Sequence, residues 1–302
     1  MSKIKSELQI IVNLVANHGK SKPLFDELTD ILDKRGISYK CHYTEYPGHA
    51  TGLSEKITSG QRGEILLIFG GDGTYNEVVN GCFGREVKLG FIPAGSCNDF
   101  LRELGEWSGL DSFLDIIESD NTEIVDAGKV NNRIFLNNVG AGFDAQIIHD
   151  MNKRKLKGNL AYVLMVFKNL FKFKCFHAKL ISSEKNIDTN LLMLTVNNTT
   201  TYGGGFKIAP LAGIQDGILD VCLVTAISKP KFIANFPKVY SGTHLKIDEI
   251  IYWKTKKVTV NLSRKLPVQV DGELLPQELD EFDVEVIPDA FKVFKFQNSR
   301  KS

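Results

Sequence analysis

The chain contains 302 residues, of which 43% are hydrophobic and 24% are charged, and its formal net charge is +1. This length exceeds what one ordinary hydrophobic core organises, so two domains are expected. The balanced charge excludes a basic protein that coats a polyanion, and nucleic acid is not an expected partner. No apolar run approaches the roughly 20 residues that span a bilayer, and the polar first residues carry no secretory signal.

The cysteines indicate the redox environment of the chain. There are five of them, an odd number, and no two form a Cys-x-x-Cys pair. This pattern argues against a disulfide framework and against a zinc site. We therefore expect a protein of the reducing cytoplasm.

The first part of the chain alternates apolar runs with amphipathic helical patterns. Strands are predicted over residues 8–15, 37–43, 64–69 and 88–92. Helices are predicted over residues 23–35, 49–59, 74–80, 99–104 and 110–119. This alternation predicts a doubly wound parallel α/β domain over residues 1–125, whose ligands bind at the carboxyl ends of the strands.

From about Val125 the sequence changes to short β-rich segments separated by glycine, asparagine and proline. Strands are predicted over residues 134–139, 176–181, 191–196, 219–225, 257–262, 268–270 and 282–287. Their spacing predicts an antiparallel β-sandwich domain over residues 126–302, whose last residues are free to pack back on the first domain. The boundary is expected between residues 122 and 128.

The most informative motif is Gly-Gly-Asp-Gly-Thr at residues 70–74, which directly follows an apolar strand. Glycines without a Cβ let backbone N–H groups approach an anion, and the following helix directs its positive end to the same place. Asp72 is available to hold Mg²⁺, directly or through water. The motif predicts a phosphate site with a bound metal ion.

A second glycine-containing turn follows the first strand and ends in Gly-Lys-Ser at residues 19–21. It is not a P-loop, because Leu14 stands where the first glycine of that motif belongs. The turn can still bind phosphate through its backbone and Lys20. A plain turn with a solvated lysine is an equally common explanation.

A third turn, Pro93–Phe100, offers a hydroxyl, an amide and a carboxylate within four residues. Taken alone, Asp99 is as readily explained as a helix N-cap as by a functional role. Beside Asp72 at the same edge of the sheet, it becomes a candidate for metal organisation or substrate binding.

Six sequence elements stand together in the order typical of one family. They are Gly-Gly-Asp-Gly-Thr-x-Asn-Glu-Val at 70–78, Pro-x-Gly-Ser-x-Asn-Asp-Phe at 93–100, Asn-Val-Gly-Ala-Gly-Phe-Asp-Ala at 138–145, Gly-Gly-Gly-Phe through Ala-Pro at 203–210, Asp-Gly-Ile-Leu-Asp-Val at 216–221 and Asp-Gly-Glu at 271–273. From about residue 9 to about residue 295 the chain resembles the diacylglycerol kinase catalytic family of bacterial lipid kinases, which is related to sphingosine kinases. Gly-Gly-Asp-Gly alone also occurs in phosphofructokinases and NAD kinases, so the resemblance depends on the whole set.

The resemblance implies a role for each matching residue. ATP would be bound by Asn13, Asn17, Lys20, Thr44, Gly71, Asp72, Gly73, Thr74, Asn76, Glu77 and Ser96. Glu273 resembles the general base that takes the proton from a lipid hydroxyl, and Asp72 would help to hold the catalytic Mg²⁺. A structural Mg²⁺ site would use Asp216 with main-chain oxygens near Gly213 and Ile218. Asp99 and Asp271 would belong to the substrate site or to its supporting network.

Two features qualify this resemblance. In the family the first turn often has glycine where this chain has Asn17, although asparagine tolerates the left-handed region. Without the other motifs, Asp271-Gly272-Glu273 would be interpreted as a simple β-turn.

Residues 153–176 form a basic stretch rich in aromatic side chains and without an acidic residue. It is either an interfacial surface that meets anionic lipid or a core helix flanked by lysines, and the two interpretations have equal weight. The first places the protein at the inner face of the membrane as a peripheral protein.

The leading hypothesis is a Mg²⁺-dependent lipid kinase that transfers the γ-phosphate of ATP to the hydroxyl of diacylglycerol or a related lipid alcohol. One alternative is an NAD or sugar kinase with a soluble substrate, and another is a non-catalytic nucleotide sensor that docks on membranes. The sequence does not select the lipid, ATP over GTP, or the oligomeric state, and it leaves a homodimer open.

Overall fold

The computed structural model describes residue 4 and residues 6–19, 21–59, 64–154 and 159–296. The chain divides into two compact units. Unit 1 comprises Met1–Val125 together with Asp289–Ser302, and unit 2 comprises Asp126–Pro288. The C-terminal segment therefore belongs to the same unit as the N-terminal one.

Unit 1 contains a parallel sheet with the strand order β2-β1-β3-β4. The strands are β1 (Leu8–Val12), β2 (Tyr39–Tyr43), β3 (Glu64–Gly70) and β4 (Val87–Pro93). The helices are α1 (Lys22–Arg35), α2 (His49–Thr58), α3 (Asp72–Cys82) and α4 (Leu110–Glu118). Helix α2 packs against α3, and α1 packs against α4. With right-handed crossovers these two pairs cover opposite faces of the sheet, so the predicted α/β fold is confirmed.

The apolar sequence of the central strands explains their position. Strand β1 and the second half of β3 are buried, because each has helices on both sides. Helix α1 buries Leu28 and Leu32 and ends at Gly36. Gly36 has a φ of 65° and donates its N–H to the last carbonyls of the helix, so it stops α1 as predicted.

Two boundaries near the sheet edge differ from those predicted. The strand predicted over residues 8–15 ends at Val12, because Ala16–Gly19 form a 3₁₀ turn. The helix predicted from Thr74 begins at Asp72, because the N–H of Tyr75 already bonds to the carbonyl of Gly71. Asp72 therefore lies in the first turn of α3.

Unit 2 is predominantly an antiparallel β structure, which confirms the predicted sandwich. Its strands are β5 (Thr122–Val130), β6 (Arg133–Phe135), β7 (Asn138–Gly142), β8 (Phe176–Ile181), β9 (Asn186–Asn197), β10 (Leu219–Thr225), β11 (Ile250–Thr255), β12 (Lys257–Leu266), β13 (Val268–Val270), β14 (Glu273–Leu274) and β15 (Leu279–Phe294). The first residues of β5 and the last residues of β15 belong to unit 1. The path β14-β13-β7-β9-β8-β12-β15 is continuous, and β10 joins β9 to β11. Strand β9 pairs with β8 along its first half and with β7 and β10 along its second half, so its partners change along its length.

Four helices accompany these strands: α5 (Phe143–Arg154), α6 (Asn159–Leu170), α7 (Lys229–Asn235) and α8 (Lys238–Ser241). Buried side chains of α5 and α6 form a second core with residues of β9 and β10. No described helix is long and apolar enough to cross a membrane.

The prediction of a single strand over residues 134–139 is wrong. The structure has two strands there, β6 and β7, separated by Leu136 and Asn137. The N–H groups of these two residues bond to the carboxylate of Asp271 instead of a neighbouring strand. Strand β15 is longer than predicted and has two partners. It pairs antiparallel with β12 in unit 2, and after Asp289, which has a φ of 52°, it pairs in parallel with β4 in unit 1.

Candidate active site

The turns after β3 and β4 are in contact through the backbone atoms of glycine residues. A Cβ on Gly71 would lie 2.8 Å from the Cα of Gly95, so neither position accepts a side chain without movement. The N–H of Ala94 donates to the carbonyl of Gly70 at 2.8 Å. The glycine-rich motif thus meets the Pro93–Phe100 turn directly, as expected for adjacent parallel strands.

Tyr75 holds these two strand ends together, although the sequence analysis did not identify it. Its side chain is fully buried, and its hydroxyl lies 3.0 Å from the carbonyl oxygen of Gly70 and 2.9 Å from that of Ile92. Burial raises the pKa of Tyr75, so the hydroxyl keeps its proton and donates. The only signal in the sequence is an aromatic residue in the first turn after the glycines.

The turn after β1 joins the same edge. The Asn13 amide donates to the Thr74 hydroxyl at 2.9 Å, and the Ser96 hydroxyl donates to the Asn17 side-chain oxygen at 3.2 Å. Asn17 has a φ of 48°, which is the left-handed conformation that the family's glycine would adopt. Four residues predicted to bind ATP are therefore brought together in pairs.

Two more of the predicted nucleotide ligands lie at this sheet edge, and a third is buried behind it. Thr44 follows β2, where its N–H donates to the Val12 carbonyl at 2.9 Å, and Gly73 lies in the first turn of α3. Asn76 is buried within α3. Lys20 lies outside the described residues.

Glu77 does not face the glycine turn with its carboxylate. Its two oxygens accept the N–H groups of Gly48 at 2.8 Å and Ala50 at 3.0 Å, at the N-terminus of α2. A carboxylate at a helix N-terminus stabilises the helix through these bonds and through the helix dipole. The geometry thus gives Glu77 a role in fixing α2 against α3.

Asp72 and Asp99 lie close to the same thiol. Burial, together with the negative charges of Asp99 and Asp72, raises the pKa of Cys97 to about 12. The Phe100 N–H is 3.5 Å from the Asp72 carboxylate, and Arg102 Nε is 3.4 Å from that of Asp99. Asp99 makes no side-chain cap to the 3₁₀ turn that follows it, so the N-cap explanation is not supported.

In unit 2, Asp271 binds backbone N–H groups. Its carboxylate accepts from Leu136 and Asn137 at 2.8 Å and from Asn138 at 3.0 Å. Asp271 and Gly272 both have positive φ, 49° and 83°, which matches a tight turn between β13 and β14. The structure therefore places Asp271 in the support of this turn.

Glu273, the predicted general base, follows that turn at once. Its side chain is 43% exposed and forms an ion pair with Arg133, with 2.7 Å between Glu273 Oε2 and Arg133 Nη2. Sequence reasoning did not identify Arg133, which stands in a different strand. The guanidinium contacts one oxygen of this carboxylate.

Asp216 lies in a loop that is bound to the sheet of unit 2. The Gly217 N–H donates to Asp126 at 2.8 Å, and the Ile218 N–H lies 3.3 Å from the Asp216 carboxylate. Lys254 Nζ is 2.8 Å from Asp216 and 3.2 Å from Asp220, so an ammonium partly neutralises both carboxylates.

Metal binding can be judged from these donor sets. Within the described residues, no group of three or more His, Cys, Asp or Glu side chains is placed to hold a metal ion. Mg²⁺ at kinase sites needs only one or two carboxylates, because phosphate and water complete its shell, and Asp72 fits this requirement. At Asp216, with the backbone of Gly213 beside it, an ion would share the carboxylate with Lys254.

Comparisons with known proteins match both units. Residues 7–130 match the model of the diacylglycerol kinase catalytic domain, and residues 137–295 match that of the YegS C-terminal NAD kinase beta sandwich-like domain. A diacylglycerol kinase of Bacillus subtilis (strain 168) is 30% identical over 284 residues, which cover 89% of this chain and 91% of the relative. The chain belongs to the diacylglycerol kinase family of lipid kinases.

Further relatives agree with this membership. A diacylglycerol kinase of Staphylococcus aureus (strain Newman) is 31% identical over 269 residues, which cover 86% of this chain and 85% of the relative. A crystal structure described as a diacylglycerol kinase from Bacillus anthracis str. Sterne has a TM-score of 0.72 at 21% identity and covers 96% of this chain and 97% of its own. The sequence-based assignment to a kinase of this family is thus confirmed, and the structural likeness confirms the fold.

Proposed function

We propose that this lipid kinase transfers the γ-phosphate of ATP to the hydroxyl of diacylglycerol or a closely related lipid alcohol. The observation that carries the choice of a lipid is an apolar cavity of about 80 Å³ in unit 2. Side chains of α5, α6, α7 and the adjoining strands line it. A soluble alcohol such as a sugar gains nothing from this apolar lining, whereas an acyl chain gains roughly 0.8 kcal/mol per buried CH₂.

Unit 1 supplies the proposed nucleotide site. The N-terminus of α3, the glycine backbone and the Asn13–Thr74 and Asn17–Ser96 pairs would bind the triphosphate, with Lys20 as a point charge. Asp72 would hold Mg²⁺. Such an ion neutralises charge on the phosphates in phosphoryl transfer. We also assign a structural Mg²⁺ to Asp216 with main-chain oxygens near Gly213 and Ile218.

Unit 2 supplies the proposed base. The substrate hydroxyl gives its proton to Glu273, the alcohol oxygen forms the new bond to the γ-phosphorus, and the bond from phosphorus to ADP breaks. Arg133 orients the Glu273 carboxylate through their ion pair. Asp271 is the weaker candidate, because its two oxygens already accept three backbone N–H groups.

We further propose peripheral contact with the inner face of the membrane. The apolar side of α6 is buried through Met165, Val166 and Leu170, whereas Leu164 and Phe171 are more than half exposed. The buried side fits the core-helix interpretation of the basic stretch, and the exposed side supports the proposed membrane contact. Lysines around the exposed side would meet anionic headgroups, although residues 155–158 lie outside the described residues.

The test is incubation with γ-labelled ATP, Mg²⁺ and a panel of lipid alcohols in mixed micelles. Label in the organic phase is the expected result, and label on NAD or a sugar would support the soluble-substrate alternative. Glu273→Gln should abolish transfer to the lipid while nucleotide affinity stays within about twofold. Nucleotide binding without any transfer by the unmodified chain would indicate the non-catalytic sensor.

A further inference from the structure

A buried glutamine connects the apolar cavity of unit 2 to the turn that carries Glu273. Gln269 lies in β13 and is fully buried. Its Nε2 donates to Asp144 Oδ2 at 3.2 Å, and its Oε1 accepts the N–H of Gly272 at 2.9 Å. The side-chain nitrogen of Gln269 therefore bonds to a residue that lines the cavity, and its side-chain oxygen bonds to the turn.

The cavity end of this connection is Asp144. It stands in the first turn of α5, is 1% exposed and lines the cavity. Its Oδ1 is buried and has no hydrogen-bond partner among the described residues. A buried oxygen without a partner costs roughly 1–3 kcal/mol, so the carboxyl group responds to whatever fills the cavity.

The turn end is the Asp271-Gly272 pair. The three N–H groups bound to Asp271 fix one side of the turn, and Gln269 fixes Gly272 on the other. Glu273 follows directly and pairs with Val270 in the β13–β14 ladder. A change at Gly272 therefore changes the direction in which the Glu273 side chain leaves the backbone.

We infer that Asp144 and Gln269 are positioning residues that adjust the Glu273 turn when an aliphatic lipid chain occupies the cavity. A chain in the cavity places hydrocarbon beside Asp144 and strengthens its bond to Gln269, since electrostatic interactions grow as the local dielectric falls. Gln269 then holds Gly272 more firmly. The role of Glu273 as the base rests on the proposed function, whereas the connection itself does not.

The experiment compares Gln269→Met, which has a similar size but neither hydrogen bond, with Asp144→Asn, which keeps an acceptor for Gln269. Thr195→Val is the matched control, because Thr195 is equally buried in unit 2 but has no bond to the turn. Hydrogen exchange at the Gly272 amide is measured with and without dioctanoylglycerol, in the absence of ATP. Steady-state kinetics are then measured with substrates of increasing acyl length.

Lipid should slow Gly272 exchange at least fivefold in the unmodified chain, in Asp144→Asn and in Thr195→Val, but not in Gln269→Met. The kcat of Gln269→Met should fall about tenfold for long chains, equivalent to about 1.4 kcal/mol, with KM changed less than twofold. Its kcat should no longer rise with chain length.

The proposal is overturned if lipid leaves Gly272 exchange unchanged in the unmodified chain. It is also overturned if Gln269→Met and Thr195→Val lose activity equally at every chain length, because that is the signature of general destabilisation. Slowed exchange in a protein that phosphorylates no lipid would refute the proposed function and leave the connection standing.

Discussion

Asp271 offers the most decisive prediction, because its carboxylate accepts the backbone N–H groups of Leu136, Asn137 and Asn138, where β6 ends and β7 begins. Asp271→Ala leaves these three donors without their acceptor, at roughly 1–3 kcal/mol each before any rescue by water. It also places alanine at a φ of 49°, which costs about 1 kcal/mol more. We expect the free energy of unfolding of unit 2 to fall by about 4–6 kcal/mol.

Asp271→Asn is the matched comparison. Asparagine tolerates positive φ and keeps one side-chain oxygen, which can still accept the N–H groups of Asn137 and Asn138. The bond from Leu136 to the other oxygen is lost, and the expected cost is about 1–2 kcal/mol.

The assay uses the two tryptophans, which lie in different units. In a Trp107→Phe background, the fluorescence of Trp253 reports unfolding of unit 2 alone during urea titration. Separating the units matters because a single free energy is not defined for a chain whose domains unfold independently. Equal losses for Asp271→Ala and Asp271→Asn, or a loss below 1 kcal/mol for alanine, would refute the reasoning.

Three further predictions concern other carboxylates. Glu77→Gln should destabilise unit 1 by about 1 kcal/mol, because a charge is removed from the N-terminus of α2, and nucleotide affinity in a titration should change less than twofold. If Asp216 binds a structural ion, Mg²⁺ should raise the melting temperature of the unmodified chain but not that of Asp216→Ala. The increase should be larger in Lys254→Met, because the ammonium that competes with the ion is gone. An unchanged Mg²⁺ effect in Asp216→Ala would place the ion elsewhere. Burial raises the pKa of Asp144 from 3.8 to about 6. As the pH rises, Asp144 therefore loses its proton in the unfolded chain before it does so in the folded chain. The stability that the protonated side chain contributes is lost between about pH 4 and pH 6. Asp144→Asn lacks this group, and its unfolding free energy relative to the unmodified chain should increase by at most about 3 kcal/mol across that range in urea titrations, whereas a constant difference would contradict the shifted pKa.

The sequence was most informative where structure is local. Strand and helix alternation in unit 1, the stop at Gly36 and the turn at Asn17 follow from apolar spacing and from backbone preferences within a few residues. The three glycine-containing turns could be placed at one sheet edge, because parallel strands bring their carboxyl ends together.

Contacts between distant segments could not be predicted in this way. Arg133 and Glu273 are 140 residues apart, and Asp144 and Gln269 are 125 apart. No periodicity of a single chain encodes which of its arginines or glutamines meets which carboxylate. The break in the strand predicted over residues 134–139 has the same origin, since its cause is the side chain of Asp271.

The hydrogen bonds and ion pairs of the acidic motif residues divide these residues into two kinds, which cannot be told apart in the sequence. Asp271 and Glu77 bind backbone N–H groups with both oxygens, which stabilises local structure and leaves these oxygens occupied by donors of the protein itself. Glu273 instead meets one guanidinium and remains 43% exposed, so an incoming hydroxyl can reach it. Whether the oxygens of a carboxylate are saturated by backbone donors therefore distinguishes a supporting residue from a candidate base, and among the acidic residues of the Asp271–Glu273 turn this criterion selects Glu273.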